Sequence, residues 1–441
     1  MKKTLVLGAG LVARPLVRYL LDHPNIQVLI ASRTVSKAEN LIADHPQGEA
    51  VEFDITKDIV ELPNLVEQAD IIISLLPYVY HVTIAEECIR QKKHLVTTSY
   101  VSDAMNALNE KAKIAEVILL NELGLDPGID HMSAMKIIND VRDRNGKIES
   151  FSSYCGGLPA PEANTNPFGY KLSWSPLGVL LAGRNPACFL KEGKQVDIPG
   201  EELFAHYEIM EVEGLGDFEF YPNRNSLGYI DLYGIQETQT MFRGTLRNLE
   251  WCDTLKAIAD LGLLNDQIKH SLKDTTYTGF MRKLINVDPD SDLKVAIASK
   301  LAISPDSEII KKLEWLSLLS DDTTRMDEGS PLDVLAARFM EKLQYNEGER
   351  DMVILIHEFI AKYPDERVKI TSTLVDYGIP YGDSSMSRTV SLPAAIGARL
   401  ILEGKITSKG VQIPTIPEIY KPILAELEQL GIVCKEKAVT V

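Results

Sequence analysis

The stretch Thr4–Ala13, TLVLGAGLVA, decides how the rest of the chain is read. An apolar run breaks on Gly8 and Gly10, and a helix-compatible segment, ARPLVRYLLDH, follows from Ala13. In a strand-to-helix turn of this kind Gly8 permits the tight bend and Gly10 lets the backbone approach a pyrophosphate. Ala13 keeps the helix close to the sheet, and the free N–H groups of the helix start face the phosphates. Alone, GxGxxA carries little weight. After the first strand of a βαβ pattern it predicts a dinucleotide turn built from Gly8, Gly10, Leu11, Val12 and Ala13.

That pattern is present. As far as Tyr100, short apolar runs (IQVLIAS, AVEFDI, ADIIISLLP, KHLVTTSY) alternate with amphipathic segments (SKAENLIADH, DIVELPNLVEQ, YHVTIAEECIRQ). Strands buried on both faces and separated by helices imply a parallel sheet with crossover helices, an α/β, doubly wound, Rossmann-like domain. From Lys147 to about Thr245, Gly, Pro and Asn punctuate short β-like runs, which predicts an α+β substrate domain. Between Leu249 and about Tyr345 the apolar spacing turns helical, broken by Asp, Ser and Pro, which predicts a small all-helical inserted domain. MVILIHEFIA and ERVKITSTLVDYG are strand-like again, and SLPAAIGARLILEG and PEIYKPILAELEQLGI supply two helices before the tail. The expected division is residues 1–128 with about 388–441, 129–248 with about 350–387, and 249–349.

Composition narrows the function. With 441 residues, 45% hydrophobic and 25% charged, the chain is long enough for two or three domains with real cores. A net charge of −17 disfavours binding to nucleic acid or to anionic membrane. Any anionic ligand must therefore be held by locally placed Arg, Lys or helix starts. The cysteines (Cys88, Cys155, Cys188, Cys252, Cys434) are odd in number and scattered, without CxxC or metal-ligand spacing. This points to a reducing compartment and no metal site. No stretch approaches the ~20 apolar residues of a membrane span, and a cytoplasmic location is the expectation.

The second strand indicates which dinucleotide. It ends Ala31-Ser32-Arg33-Thr34, with no acid to take a ribose 2′-OH or to repel a 2′-phosphate. Ser32 and Thr34 offer hydroxyls and Arg33 a charged planar fork, so NADP(H) is favoured over NAD(H). Asp54, after the third strand, either accepts from the adenine amino group or forms a turn. Polar groups concentrate later in TTSY (Thr97 to Tyr100), LDPGIDH (Leu125 to His131), the long block from Ser153 to Leu180, YPNRNS with Arg224, and FRGTLR with Arg243, Thr245 and Arg247.

With these blocks in view the chain resembles the saccharopine dehydrogenase family, in its glutamate-forming branch, also called saccharopine reductases. The resemblance covers nearly the whole length through GAGLVARPL, TTSYVSDAM, NELGLDPGIDHMSAM, SYCGGLPAPE, NPFGYKLSWSPLGVLLAGRN, YPNRNS, RGTLR, RTVSLPAAIGARLILEGKI and GVQIPTIPEIYKPILAEL. It implies interconversion of saccharopine, NADP⁺ and water with glutamate, 2-aminoadipate 6-semialdehyde and NADPH in lysine metabolism. It further implies that Ser99, Tyr100, Asp126, Arg224, Thr245, Leu246 and Arg247 line the saccharopine site. NADP(H) would then be held by Gly10 to Ala13, Ser32 to Thr34, Asp54, Ile55 and Leu75, Leu76 and Pro77, with Leu125 and Ser175 as neighbours. The acid/base candidates are Asp126, Cys155 and Tyr100, in that order.

Blander roles stand beside these. Asp126 before Pro-Gly can serve only its turn, Cys155 can be a small buried hydrophobe, Tyr100 can be core, and Arg224 and Arg247 can form structural ion pairs. His81, His94 and His131 have no partner at metal or triad spacing and stay unassigned. Two other functions compete: carboxynorspermidine dehydrogenase, which joins a diamine to aspartate semialdehyde by the same imine-reduction chemistry, and a non-catalytic NADP-binding sensor. A homodimer is a further expectation. If Arg33 holds the 2′-phosphate, Arg33→Ala lowers the ratio of kcat/KM for NADPH to that for NADH by roughly tenfold or more. A wild-type protein that prefers NADH removes the assignment.

Overall fold

The computed structural model describes residues 1–441 except Ser175, and the chain divides into two compact units, Met1–Ile148 with Leu355–Val441, and Glu149–Ile354. The first unit is built on a parallel seven-stranded sheet. Its first six strands are β1 (Lys2–Leu7), β2 (Ile26–Ser32), β3 (Gly48–Glu52), β4 (Ile71–Ser74), β5 (His94–Thr97) and β6 (Ile118–Leu120). Their spatial order is β6-β5-β4-β1-β2-β3, and Gly410–Gln412 adds a seventh strand outside β6. Leu5, Val6 and Leu7 are fully enclosed, as are Ile71, Ile72 and Ile73, because helices cover both faces. Each such side chain contributes roughly 1.5–3 kcal/mol.

The helix Ala13–Leu21 buries Ala13, Leu16, Val17, Leu20 and Leu21, a single stripe at the spacing of helical turns. It ends before Pro24, which cannot continue a helix. The helix Ser385–Leu402 packs on it, and a polar cluster joins that pair to the helix Pro417–Gln429. Arg399 Nε donates to Tyr19 Oη at 2.7 Å, and both Tyr19 and Arg399 donate to Glu426. The segment read from sequence as a tail is a strand, Lys435–Thr440, antiparallel to Arg367–Tyr377. Among the described residues no helix is long and apolar enough to cross a membrane.

The second unit carries a mixed sheet and a helical stretch. Thr240–Arg247 runs parallel to the strand Lys147–Pro159 and antiparallel to Gly216–Pro222, which pairs in turn with Glu208–Val212. A hairpin, Ala187–Lys191 with Lys194–Ile198, joins the same sheet. The Ser and Asp residues that interrupt the helical stretch are N-caps. Asp292 accepts from Val295 N, Ser307 from Ile310 N, and Ser330 forms a capping box with Asp333 ahead of Pro331–Lys342.

One loop of the first unit is tightly specified. Between β6 and the helix Ile129–Asp143, Gly124 N donates to Pro127 O at 2.9 Å and Ile129 N to Gly124 O at 2.9 Å. Gly128 sits at φ +146°, and a Cβ there would lie 2.0 Å from Gly124 O. Gly128→Ala should lower stability by about 2–4 kcal/mol, read from the denaturation midpoint. Gly228→Ala, where a Cβ would meet nothing within 4 Å, is the control and should be near neutral. Equal behaviour of the two variants would show that the loop can relax.

Candidate active site

The register of the parallel sheet assembles the first half of the site. Leu7 is level with Ala31 on one side and Ser74 on the other, and Ser74 is level with Thr97. Gly8–Ala13, Ser32–Thr34, Leu75–Pro77 and Thr98–Tyr100 therefore all leave the sheet at one edge. β1 and β4 meet there at the point where strand order reverses, the place where open α/β sheets bind ligands.

Gly8, at φ +107°, donates its N–H to Ala31 O at 2.9 Å, so the bend is locked to β2. A Cβ on Gly10 would meet nothing within 4 Å, which leaves an unfilled cradle above the turn. Val12 caps the helix with no side-chain hydrogen bond, so its first-turn N–H groups have no competing side-chain acceptor. Leu11 is 71% exposed and Ala13 is enclosed. Ser32 is buried and accepts from Thr34 N at 3.3 Å, while Arg33 and Thr34 are exposed. Leu75 N donates to Leu7 O, Leu75 and Leu76 are half-buried, and Pro77 is exposed. Ile55 and Leu125 are buried. Open space over Gly10, an uncapped helix start and no acid after β2 fit a dinucleotide bearing a 2′-phosphate.

Asp54 is engaged locally. Its Oδ1 accepts from Thr56 Oγ1 at 2.7 Å and Thr56 N at 3.0 Å, and these bonds hold the carboxyl below its ordinary pKa. The turn-forming alternative describes that geometry. Ser175 lies outside the described residues.

The same unit holds Ser99, Tyr100 and Asp126. Tyr100 Oη donates to Asp126 Oδ1 at 3.0 Å, so residues far apart in sequence share one proton path. Two histidines left unassigned from sequence support this group. His81 places Nδ1 3.1 Å from Ser74 Oγ and Nε2 3.0 Å from Ser99 Oγ. His131 Nε2 lies 2.7 Å from Glu122 Oε2 in a fully buried pair. Glu122 in turn clamps the Ser99 loop: its N–H donates to Ser99 O at 3.2 Å and its Oε1 accepts from Val101 N at 2.8 Å. Composition and spacing hide such partners, because 18 residues separate His81 from Ser99.

The second unit holds the remaining candidates. Cys155, buried, is in register with Thr245, and Thr245 with Tyr221. The Leu246 side chain is fully enclosed, leaving only its main chain to meet a ligand. Arg224 is exposed at φ +55°. Arg247 is 5% exposed, its Nη1 donates to Leu246 O at 2.8 Å, and its Nε has no hydrogen-bond partner among the described residues. Its guanidinium lies 5.1 Å from the Tyr170 ring, 5.4 Å from Trp251 and 6.0 Å from Tyr221. Among the described residues no carboxylate lies within 4.0 Å of it, whereas the buried cations Lys312, Arg338 and Arg399 pair with Glu250, Glu341 and Glu403. An aromatic-walled, buried guanidinium with no acid beside it has the chemistry to receive an anion.

Comparison with known proteins identifies the family. Residues 4–120 match the family model for the saccharopine dehydrogenase NADP binding domain and residues 124–432 that for the saccharopine dehydrogenase C-terminal domain. Saccharopine dehydrogenase [NADP(+), L-glutamate-forming] of Pyricularia oryzae is 41% identical over 449 residues, covering 99% of each chain. The protein of the same name from Schizosaccharomyces pombe is 38% identical, over 100% of this chain and 99% of its own. The solved apo structure of saccharopine dehydrogenase (L-Glu forming) from Saccharomyces cerevisiae superposes with a TM-score of 0.90 at 40% identity, over 100% of both chains. With two units that each carry the family's pattern, and with that similarity running end to end, the chain belongs to the saccharopine dehydrogenase family.

Proposed function

We propose that this protein interconverts saccharopine, NADP⁺ and water with L-glutamate, 2-aminoadipate 6-semialdehyde, NADPH and a proton. It is an NADP-dependent oxidoreductase acting on a CH–NH group, and the full-length relatives carry that activity in their names. The observation that carries the substrate reading is Arg247, a buried cation with no acid within 4.0 Å among the described residues, in a chain of net charge −17. Such a group is costly unless an anion arrives, and a tricarboxylic amino acid supplies one. A diamine substrate would call for acids in that position, so Arg247 speaks against the carboxynorspermidine alternative.

When bound, NADPH supplies the hydride that reduces the carbon–nitrogen double bond. The chain's own residues bind, orient and move protons. Arg247 and Arg224 take carboxylates, and the aromatic rings around Arg247 hold its guanidinium in place. Asp126, oriented by the Tyr100 hydroxyl, receives the amine and holds its proton while the carbon–nitrogen bond is made or broken. Cys155 and Thr245, side by side in register, are the second unit's further substrate candidates. Gly8, Gly10 and the helix start hold the pyrophosphate, and Ser32, Arg33 and Thr34 the phosphorylated ribose.

Saccharopine-dependent reduction of NADP⁺, followed by NADPH absorbance with product identification, tests the reading. Glutamate is the expected product, and release of lysine, or no turnover, overturns it. Arg224→Ala should raise KM for saccharopine or glutamate by more than roughly tenfold and leave KM for NADPH unchanged, through loss of a charged hydrogen bond. Asp126→Asn should lower kcat/KM without unfolding the protein, and full activity would reduce Asp126 to a turn residue. Gly10→Val should keep the wild-type melting temperature and weaken NADPH binding by roughly tenfold or more, the factor carried by ~1.4 kcal/mol. A protein that still binds NADPH normally would place the pyrophosphate elsewhere.

A further inference from the structure

His81 occupies a position that neither the hydride step nor the cofactor turn uses. It is 4% exposed and opens the helix His81–Gln91, from which its ring bridges the ends of two strands. Nδ1 is 3.1 Å from Ser74 Oγ, at the last residue of β4, and Nε2 is 3.0 Å from Ser99 Oγ, beyond the end of β5. Burial pushes the ring's pKa down to about 4, so at neutral pH the imidazole has one N–H and one lone pair to divide between two hydroxyls.

Ser74 decides the division. Its side chain is fully enclosed, and among the described residues its hydroxyl has no hydrogen-bond partner besides His81 Nδ1. Were the proton on Nδ1, the Ser74 O–H would be buried with no acceptor, an arrangement that native interiors avoid. The opposite tautomer uses every buried proton. Ser74 donates to Nδ1, and Nε2–H donates to Ser99 Oγ. Ser99 then has one lone pair filled by the ring while its own O–H proton remains to be given, since Ser99 Oγ likewise bonds no other group among the described residues.

We infer that Ser74 and His81 together hold Ser99 as a hydrogen-bond donor, so that position 99 offers its O–H to an oxygen of the amino-acid substrate, a carboxylate. His81 is a positioning residue in this arrangement, because it touches Ser99 and no reacting group, and Ser74 sets its tautomer from one step further away. The inference rests on the reading of Ser99 as a substrate residue given above.

The test combines a spectroscopic signature with kinetics on the full chain. Side-chain ¹⁵N spectra of histidine-labelled protein, with the His81 signals identified by their loss in His81→Gln, should show a neutral ring protonated at Nε2. Ser74→Ala, a small change at an enclosed site, should abolish the fixed tautomer and raise KM for saccharopine roughly three- to tenfold, with kcat and KM for NADP⁺ unchanged. Ser99→Ala should raise KM for saccharopine by roughly tenfold, and adding Ser74→Ala to it should change nothing further. A wild-type ring protonated at Nδ1, or independent effects of the two serine substitutions, overturns the tautomer mechanism while leaving Ser99 in the site. An unchanged KM in Ser99→Ala removes Ser99 from the site and overturns both readings.

Discussion

The register of the parallel sheet is the constraint on which the cofactor half of the site depends. β1 lies between β2 and β4, and Leu7 is level with both Ala31 and Ser74. Because the chain leaves these neighbouring strands in opposite directions, a crevice opens at their ends without any specialised loop. A slip of one residue would move Gly8 along the edge by roughly 3.3 Å and turn alternate side chains to the other face. The bond from Gly8 N to Ala31 O and that from Leu75 N to Leu7 O pin both sides of the crevice to the same strand end. Specificity for phosphorylated ribose is then a matter of which residues stand at those ends.

Charge supplies the second organising theme. The chain as a whole repels anions, yet its cofactor and its substrate are both anionic. The structure answers locally. Buried cations that serve the fold are neutralised within the protein, Lys312 by Glu250 at 2.9 Å and Arg399 by Glu403 at 2.7 Å. Arg247 is surrounded instead by Tyr170, Tyr221 and Trp251, whose ring faces moderate the desolvation of the guanidinium without cancelling its charge. A pyrophosphate at the Gly8–Ala13 turn would need no side-chain charge, since uncapped backbone N–H groups provide the positive end of a dipole.

Much of this was legible in the sequence, for identifiable reasons. Strands β1, β2 and β4 are apolar runs because both faces are covered, and the Gly8–Ala13 turn is local chemistry, so each can be read in a short window. The helical caps at Asp292, Ser307 and Ser330 are local in the same way. Features made by long-range pairing were not legible. The strand Lys435–Thr440 is exposed along its whole length and has no apolar alternation to betray it, and only its partner Arg367–Tyr377 explains it. His81, His131 and Glu122 carry no spacing signal, because their partners arrive from other strand ends. The aromatic walls of Arg247 come from three separate segments, at Tyr170, Tyr221 and Trp251, and nothing in the order of residues joins them.

The return of the C-terminal segment to the parallel sheet has a consequence for how the molecule is made. Gly410–Gln412 completes a sheet whose first strand begins at Lys2, and Arg399 and Glu426 close on Tyr19 of the first helix. During synthesis on the ribosome, the apolar stripe of Ala13–Leu21 therefore waits for its cover until the helix Ser385–Leu402 has emerged. The loop to be closed, from Leu21 to Ser385, is long, an entropic debt that favours late, cooperative consolidation of the nucleotide half. Nascent chains stalled short of that point carry a sheet that is paired but only partly roofed, and such intermediates are the ones chaperones exist to shield.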